Sequence, residues 1–329
     1  MRIRLKTTLP VLLGAALLAT PALAQLTPDR EYYGVNRSIP MTVATPPETG
    51  GAVEIVLFDP STGLETNRAA AARGGVDLAG LFPLLWSAPT PITLDAQLVV
   101  GEIKVGSPVV LVPMLSPRTA TKTAAQQGQG IQFSPNSNRT YSGIRAYADR
   151  HIVFETTAGE VELALRPDMA PNTCQHIMDL VEGGFYTDIK VHRIVKNAGN
   201  GHPFVIQFGD PTGFGNGGPG VMIDLEPSTL PHDFGVVSMA RTADPDTNGS
   251  QVFLCLSRQG TQFLDGKYTS FGCTVRGDDT LIALENTPTD SNGRASNMPV
   301  INNAYTVPAP PFGEGPECVE RPKPQQVDR

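Results

Sequence analysis

Tryptophan occurs once in these 329 residues, cysteine four times and histidine five times. No Cys-x-x-Cys or His-x-x-His spacing occurs among them, so nothing points to a metal site. After residue 24 no apolar run approaches the roughly 20 residues a membrane span needs. Runs of basic residues are missing too. The formal charge is −7, which argues against nucleic acid or an anionic membrane surface as partner. No internal repeat stands out. What is abundant is turn chemistry, with 33 Gly and 30 Pro beside 40% hydrophobic residues. That balance favours many short strands over long helices, in a chain with room for two domains.

Residues 1–24 have the layout of an export signal: Arg2, Arg4 and Lys6, a short apolar run from Leu9 to Leu18, then Ala22-Leu23-Ala24 before Gln25. A membrane anchor is the competing reading, and the run is short for one. No cysteine follows the cut, against a lipoprotein. Loss of three positive and no negative residues would take the charge from −7 to −10. The expected location is periplasmic or secreted. Cys174, Cys255, Cys273 and Cys318 all lie in the second half, where export permits pairing. Three pairings are possible. Cys174 and Cys255 sit among apolar neighbours, so buried free thiols remain an open alternative.

Residues 25–145 read as a small β-rich, sandwich-like domain plus linker, of unknown function. Its candidate strands are Gly51–Leu57, Gln97–Val105 and Pro108–Val112, with Gly106-Ser107 between the last two. Asp77–Trp86 reads as a short amphipathic piece. Thr119–Tyr141 is rich in Thr, Gln, Ser, Asn and Gly and reads as a linker or long loop. Ile152–Phe154 and Val161–Leu165 alternate around Ala158-Gly159 as a hairpin. Pro171 then opens a helix whose stripe is Cys174, Ile177, Met178 and Val181, stopped by Gly183-Gly184. Short strands follow at Val191–Val195, Phe204–Gln207, Gly235–Met239, Val252–Leu256 and Thr269–Val275, which suggests a closed antiparallel barrel. From Val307 on, six prolines mark an extended tail. The expected domains are 25–145, 146–308 and a disordered tail over 309–329.

The run Val191-His192-Arg193-Ile194-Val195 raises a question, because arginine is rarely buried unless paired. An edge-strand guard against aggregation is the bland reading. Four ordered blocks weigh against it: the strand VHRIV, then Phe204-Val205-Ile206-Gln207 leading to Gly209-Asp210, then Ser238-Met239-Ala240-Arg241 with Asn248-Gly249-Ser250-Gln251-Val252-Phe253, then Phe263-Leu264-Asp265-Gly266-Lys267-Tyr268. With these blocks the chain resembles the cyclophilin-type peptidyl-prolyl cis–trans isomerases over about residues 147–307. The resemblance implies an eight-stranded antiparallel barrel capped by two helices, the second near Asp278–Asn286.

The same resemblance implies the site. Arg193 would stabilise the twisted amide, with Gln207 holding the substrate backbone. Phe204, Val205, Phe253, Leu264 and Tyr268 would line the proline pocket. Arg241, Gln251 and Phe263 would border the groove, and His192 is carried with the substrate-binding set, although a strand residue is its simpler reading. No metal or cofactor is implied. The partners would be proline-containing peptides and unfolded exported proteins, met by a monomer. Several residues depart from the family pattern. Val191 precedes His-Arg where Phe is usual, Val205 stands where Met is common, Phe208 where Gly is frequent, and Phe263 where many members have Trp. The last implies weak cyclosporin binding. Lys196–Pro203 is a longer connection than usual. A non-catalytic proline-peptide binding or scaffold module of the cell envelope is the rival reading.

Overall fold

The computed structural model describes residues 25–47, 50–118, 120, 131–133, 139–197 and 199–322. The proposed signal and most of the Thr119–Tyr141 linker lie outside the described residues.

The first part of the chain forms β1 (Gln25–Pro28), β2 (Tyr32–Gly34), β3 (Pro40–Ala44), β4 (Val53–Asp59), β5 (Leu64–Ala70), β6 (Gly74–Asp77), helical turns α1 (Leu78–Leu81) and α2 (Leu84–Ser87), then β7 (Leu94–Val100), β8 (Ile103–Leu115) and β9 (Tyr141–Ala148). Strands β1-β3-β6 make one antiparallel sheet and β2-β9-β8-β7-β4-β5 another. They share a core containing Leu26, Met41, Ile55, Leu57, Leu98 and Leu111.

Two expectations are corrected here. The stretch Gln97–Val105 is not one strand but the end of β7, a turn at Gly101-Glu102, and the start of β8. Gly106-Ser107 does not separate strands; it lies inside β8, where Gly106 at φ 66° takes up a register shift. The carbonyls freed by that shift are satisfied by the buried Gln97 amide, which donates to Val105 O at 3.0 Å and Gly106 O at 3.2 Å. The expected boundary at 145/146 also moves. Strand β9 continues to Ala148 and, among the described residues, pairs only with β2 and β8, so the changeover falls at Asp149.

The second part holds β10 (Arg150–Thr156), β11 (Gly159–Leu165), α3 (Pro171–Glu182), β12 (Ile189–Lys190), β13 (Arg193–Val195), β14 (Val205–Phe208), β15 (Val236–Met239), β16 (Val252–Cys255), α4 (Arg258–Thr261), β17 (Ser270–Arg276), α5 (Asp278–Glu285) and β18 (Val300–Pro308). One antiparallel sheet runs β12-β18-β10-β11-β17-β15-β16-β14-β13. Its two edge strands are consecutive in the chain and separated only by Val191-His192, so the sheet curls until its edges meet there. The count is nine strands rather than eight, because Ile189–Lys190 pairs with β18. Only Arg193–Val195 of the expected Val191–Val195 strand is laddered, since pairing passes from β18 to β14 at the corner.

The barrel is filled by Ile152, Phe154, Leu163, Ile206, Phe208 and Phe271, and α3 lays Cys174, Ile177, Met178 and Val181 on it. The N-terminus of α3 is capped from outside its own sequence. Glu226 accepts from Asn172 N at 3.1 Å and Thr173 N at 2.7 Å, satisfying helix donors that otherwise have no partner. Val110 and Val112 of β8 and Tyr147 of β9 also belong to the barrel-side core. The large first sheet is therefore buried on both faces where the two parts meet.

The disordered-tail expectation is corrected for residues 309–322. Phe312 stacks on Phe58 at 4.5 Å, and Lys104 lies over both rings and donates to Phe312 O. Cys318 is disulfide-bonded to Cys273 of β17, and Arg321 pairs with Glu285 at 2.9 Å. Proline withholds donors and fixes φ, but it does not prevent packing of the aromatic and cysteine residues between prolines. Cys174 and Cys255 are buried free thiols.

Candidate active site

Strand alternation sorts the expected residues. On β14, Ile206 and Phe208 point into the barrel, while Val205 and Gln207 point out. On β16, Val252 and Leu254 point in, and Phe253 and Cys255 out. Register then sets Arg193 opposite Gln207, Gln207 opposite Phe253, and Phe253 opposite Ser238, one row across β13, β14, β16 and β15. Neighbours in such a row have Cβ atoms about 5 Å apart. This places a guanidinium, an amide and an aromatic ring side by side on the outer wall.

Polar contacts along the row form a chain. Arg193 Nη1 donates to Gln207 Oε1 at 3.2 Å, Gln207 Nε2 to Gln251 Oε1 at 3.0 Å, and Gln251 Nε2 to Gly217 O at 2.9 Å. Among the described residues no carboxylate pairs with Arg193, so most of its donors remain free for a ligand. Gly217 belongs to a loop wound around the buried Asp210 carboxylate, which accepts from Thr212 N at 2.7 Å and Asn216 N at 2.9 Å. Burial works to raise Asp210, but the backbone donors of Gly217, Thr212 and Gly215 and the Thr212 hydroxyl overcome it, holding it far below the ordinary range. A Cβ at position 217 would fall onto that carboxylate, so only glycine brings the loop this close.

Beside the row lies an apolar cluster with Val205, Phe253 and Leu264 buried and Phe204 and Tyr268 packed at its margin. Phe253 meets Tyr268 edge-on at 5.8 Å. Phe263 stacks on Phe204 at 5.6 Å and is 48% exposed, a lip rather than a wall. Arg241 lies over the Tyr268 ring at 4.4 Å and donates to Lys267 O, fixing that rim. The connection Lys196–Pro203 is tied down. Asn200 Nδ2 donates to Gln259 O at 2.9 Å and Pro203 O accepts from Ser257 Oγ at 2.6 Å.

Of the expected site residues, the structure brings together Arg193, Gln207, Phe204, Val205, Phe253, Leu264 and Tyr268, with Gln251, Phe263 and Arg241 on the border. His192 is corrected. It is 6% exposed and packed beneath Gly215, and its two ring nitrogens have no partner among the described residues. Adjacent residues on an extended chain face opposite ways, so exposing Arg193 buries His192. Burial lowers its basicity. Phe208 likewise does not touch the groove; it packs edge-on against Phe154 at 5.1 Å.

One residue escaped the sequence reading. His232 is fully buried, stacks on Phe253 at 6.0 Å, and bridges Asp265 by Nδ1 at 3.0 Å and Ser238 Oγ by Nε2 at 2.9 Å. Burial lowers its pKa and Asp265 pulls it back in part. At Asp265 burial works upward, but Arg258 and His232 hold it at about 2. The signal available was Asp265 inside the Phe263–Tyr268 block, an acid with no evident partner in sequence.

An outward apolar cluster beside a guanidinium without a carboxylate partner and a ladder of amides offers the chemistry to hold an extended peptide by one apolar side chain. Residues 151–306 match the family model for the cyclophilin type peptidyl-prolyl cis-trans isomerase. Peptidyl-prolyl cis-trans isomerase-like 1 of Neurospora crassa is 37% identical over 161 residues, 47% of this chain and 93% of that one. The Homo sapiens protein of the same name is 37% identical over 160 residues, covering 91% of its length. Peptidyl-prolyl cis-trans isomerase CYP65 of Arabidopsis thaliana is 35% identical over 190 residues, of which the chain spans 30%. A solved cyclophilin type isomerase from Cryptosporidium parvum matches at 32% identity and TM-score 0.44, over 48% of this chain and 98% of that one. Residues 151–306 form a cyclophilin-type peptidyl-prolyl cis–trans isomerase domain, and the chain belongs to that family.

Proposed function

We propose that this chain isomerises X–Pro bonds through Arg193, and that its clients are unfolded exported proteins. The observation that carries the reading is the row Arg193–Gln207–Phe253, which sets a guanidinium with no carboxylate partner among the described residues beside an outward apolar cluster.

The chemistry follows from the bond. Rotation costs roughly 18–20 kcal/mol because it breaks amide resonance. Uncatalysed exchange takes on the order of tens to hundreds of seconds. As the bond twists, the proline nitrogen regains its lone pair and becomes an acceptor. Arg193, always protonated, donates to it there, whereas the planar ground-state nitrogen offers no lone pair, so Arg193 binds the twisted state better. Phe253, Val205 and Leu264 hold the proline ring while Gln207 holds the preceding backbone. Rotation breaks no covalent bond, so the step asks only for positioning and one donor.

Export, the periplasmic or secreted location and action as a monomer are parts of the same proposal, supported by the composition of residues 1–24 and the acidic mature chain. The test is cis-to-trans exchange of a short X–Pro peptide, followed by NMR exchange, with the mature protein and Arg193→Ala. Loss of one transition-state donor should lower kcat/KM by about 10²–10³. No acceleration by folded wild-type protein would sink the enzymatic reading.

A further inference from the structure

The groove beside Arg193 does not end at the glycine loop. Past Gln251 it opens into a cavity of about 540 Å³ between Arg241–Thr242 and Gly215–Met222. Met222 also lines a second cavity, of about 610 Å³, between the two parts of the chain. Its far wall carries Ile92 and Leu115 of the first part, facing Met169 and Leu225 of the second. Along this path stand three large apolar side chains exposed without cover: Val221 at 55%, Met222 at 67% and Ile92 at 48%.

The path is built rather than incidental. Ile223 N donates to Asn248 O at 2.8 Å and Leu225 N to Asp246 Oδ1 at 3.1 Å, pinning the dividing wall to the barrel. Across the seam, Arg145 Nη2 donates to Pro171 O at 2.6 Å. Val110, Val112 and Tyr147 weld the first sheet to the barrel core. The cleft is therefore already formed, and a ligand bears no cost of closing it.

We infer that the cleft between the two parts is a second subsite for the client, receiving the segment of an extended polypeptide that leaves the isomerase groove past Gln251. The inference rests on the isomerase reading for the first subsite. The occupant is an unfolded chain with apolar side chains near its proline, because the cleft continues the peptide groove through Met222 and presents apolar groups along the way. Its effect is to hold long clients while leaving short ones indifferent, a gain in effective concentration at Arg193.

The test uses the full mature chain and two substrates, a four-residue X–Pro peptide and a carboxymethylated, permanently unfolded protein containing X–Pro bonds. Ile92→Ser should leave turnover of the short peptide unchanged and raise KM for the long substrate about fivefold at constant kcat, the scale of losing one partly buried apolar side chain. Met222→Ser, on the opposite wall, should raise KM for the long substrate similarly. Both residues are exposed, so the fold should survive, which circular dichroism checks. Unchanged long-substrate KM in both variants overturns the inference. If wild-type protein turns over neither substrate, the isomerase reading fails by itself. Fluorescence anisotropy with the same unfolded protein then decides: weaker binding by Ile92→Ser upholds the cleft, and equal or absent binding refutes it.

Discussion

His232 shows how a single side chain governs a site it does not enter. It backs Phe253 with its ring and locks Ser238 and Asp265 with its nitrogens, so the anchoring ring has one orientation. The acceptor demand of Nε2 on the Ser238 hydroxyl is met only while that nitrogen carries no proton. Burial depresses the His232 pKa below the ordinary 6.5. In the window between the depressed value and 6.5 the unfolded state takes up a proton that the native state does not. Stability is then fully present above pH 6.5 and is lost as pH falls through the folded value. His192 is depressed by the same cause and acts in the same direction. Asp149, Asp95 and Glu226 are raised by burial and act oppositely, but equally with or without His232. Calorimetry at pH 7 and pH 5 should give a smaller drop in Tm for His232→Gln than for the wild type. The variant should also lower kcat/KM more than it raises KM, since Phe253 loses its backing. An unchanged Tm drop would show that His232 does not titrate in this window.

At the scale of elements, strand alternation and register decide what works together. Arg193, Gln207 and Phe253 are far apart in sequence, and only the β13-β14-β16 order makes them a row. The motif blocks carried these residues into view before any register was known, because Arg193, Gln207 and Phe253 each lie in a block that overlaps their strand. Alternation along an extended chain puts Arg193 and His192 on opposite faces, although the resemblance pulled His192 into the binding set. What stayed hidden depends on long-range partners: Glu226 capping α3, His232 reaching Asp265, and the bulge at Gly106 that makes one strand of two. The tail was misread for the same reason. Its prolines describe local stiffness, whereas its order comes from Phe58, Lys104 and Cys273, none of them nearby in sequence. The Cys273–Cys318 bridge closes a separation of 45 residues, and Cys273 belongs to the apolar cluster beside the row. A bridge of that span contributes roughly 2–4 kcal/mol. Cys318→Ser should therefore lower the denaturant midpoint clearly, and reduction of the wild type should reproduce the shift. A midpoint equal to that of the oxidised wild type would show that the other tail contacts hold residues 309–322 without the bridge.

For the molecule as a whole, the seam between the parts is apolar with an acidic fault in it. Val110, Val112 and Tyr147 bury the outer face of the first sheet against the barrel, so residues 25–148 cut away alone would expose that face to water. Next to them Asp95 is 7% exposed, and its Oδ1 has no partner among the described residues. Burial raises its pKa far above the ordinary value, and the nearby charges of Asp149 and Asp168 add to the effect. Asp149, desolvated at the same seam, is raised to about 6. A carboxyl raised in the native state favours folding below its unfolded pKa and forfeits that advantage as pH rises through the folded value. The seam should thus tighten as pH falls and carry an uncompensated burden at pH 8, opposite in sign to the histidines near the groove. Asp95→Asn keeps the shape and removes the charge. Relief of a buried carboxyl whose Oδ1 has no partner among the described residues, on the order of 1–3 kcal/mol, should raise Tm at pH 8. At pH 4, where the wild-type group is already protonated, the two proteins should melt together. Equal melting at both pH values would mean that water reaches Asp95 and that the seam opens more readily than its apolar lining implies. The interdomain cleft depends on that seam, so the same measurement reports how firmly the second client subsite is held in place.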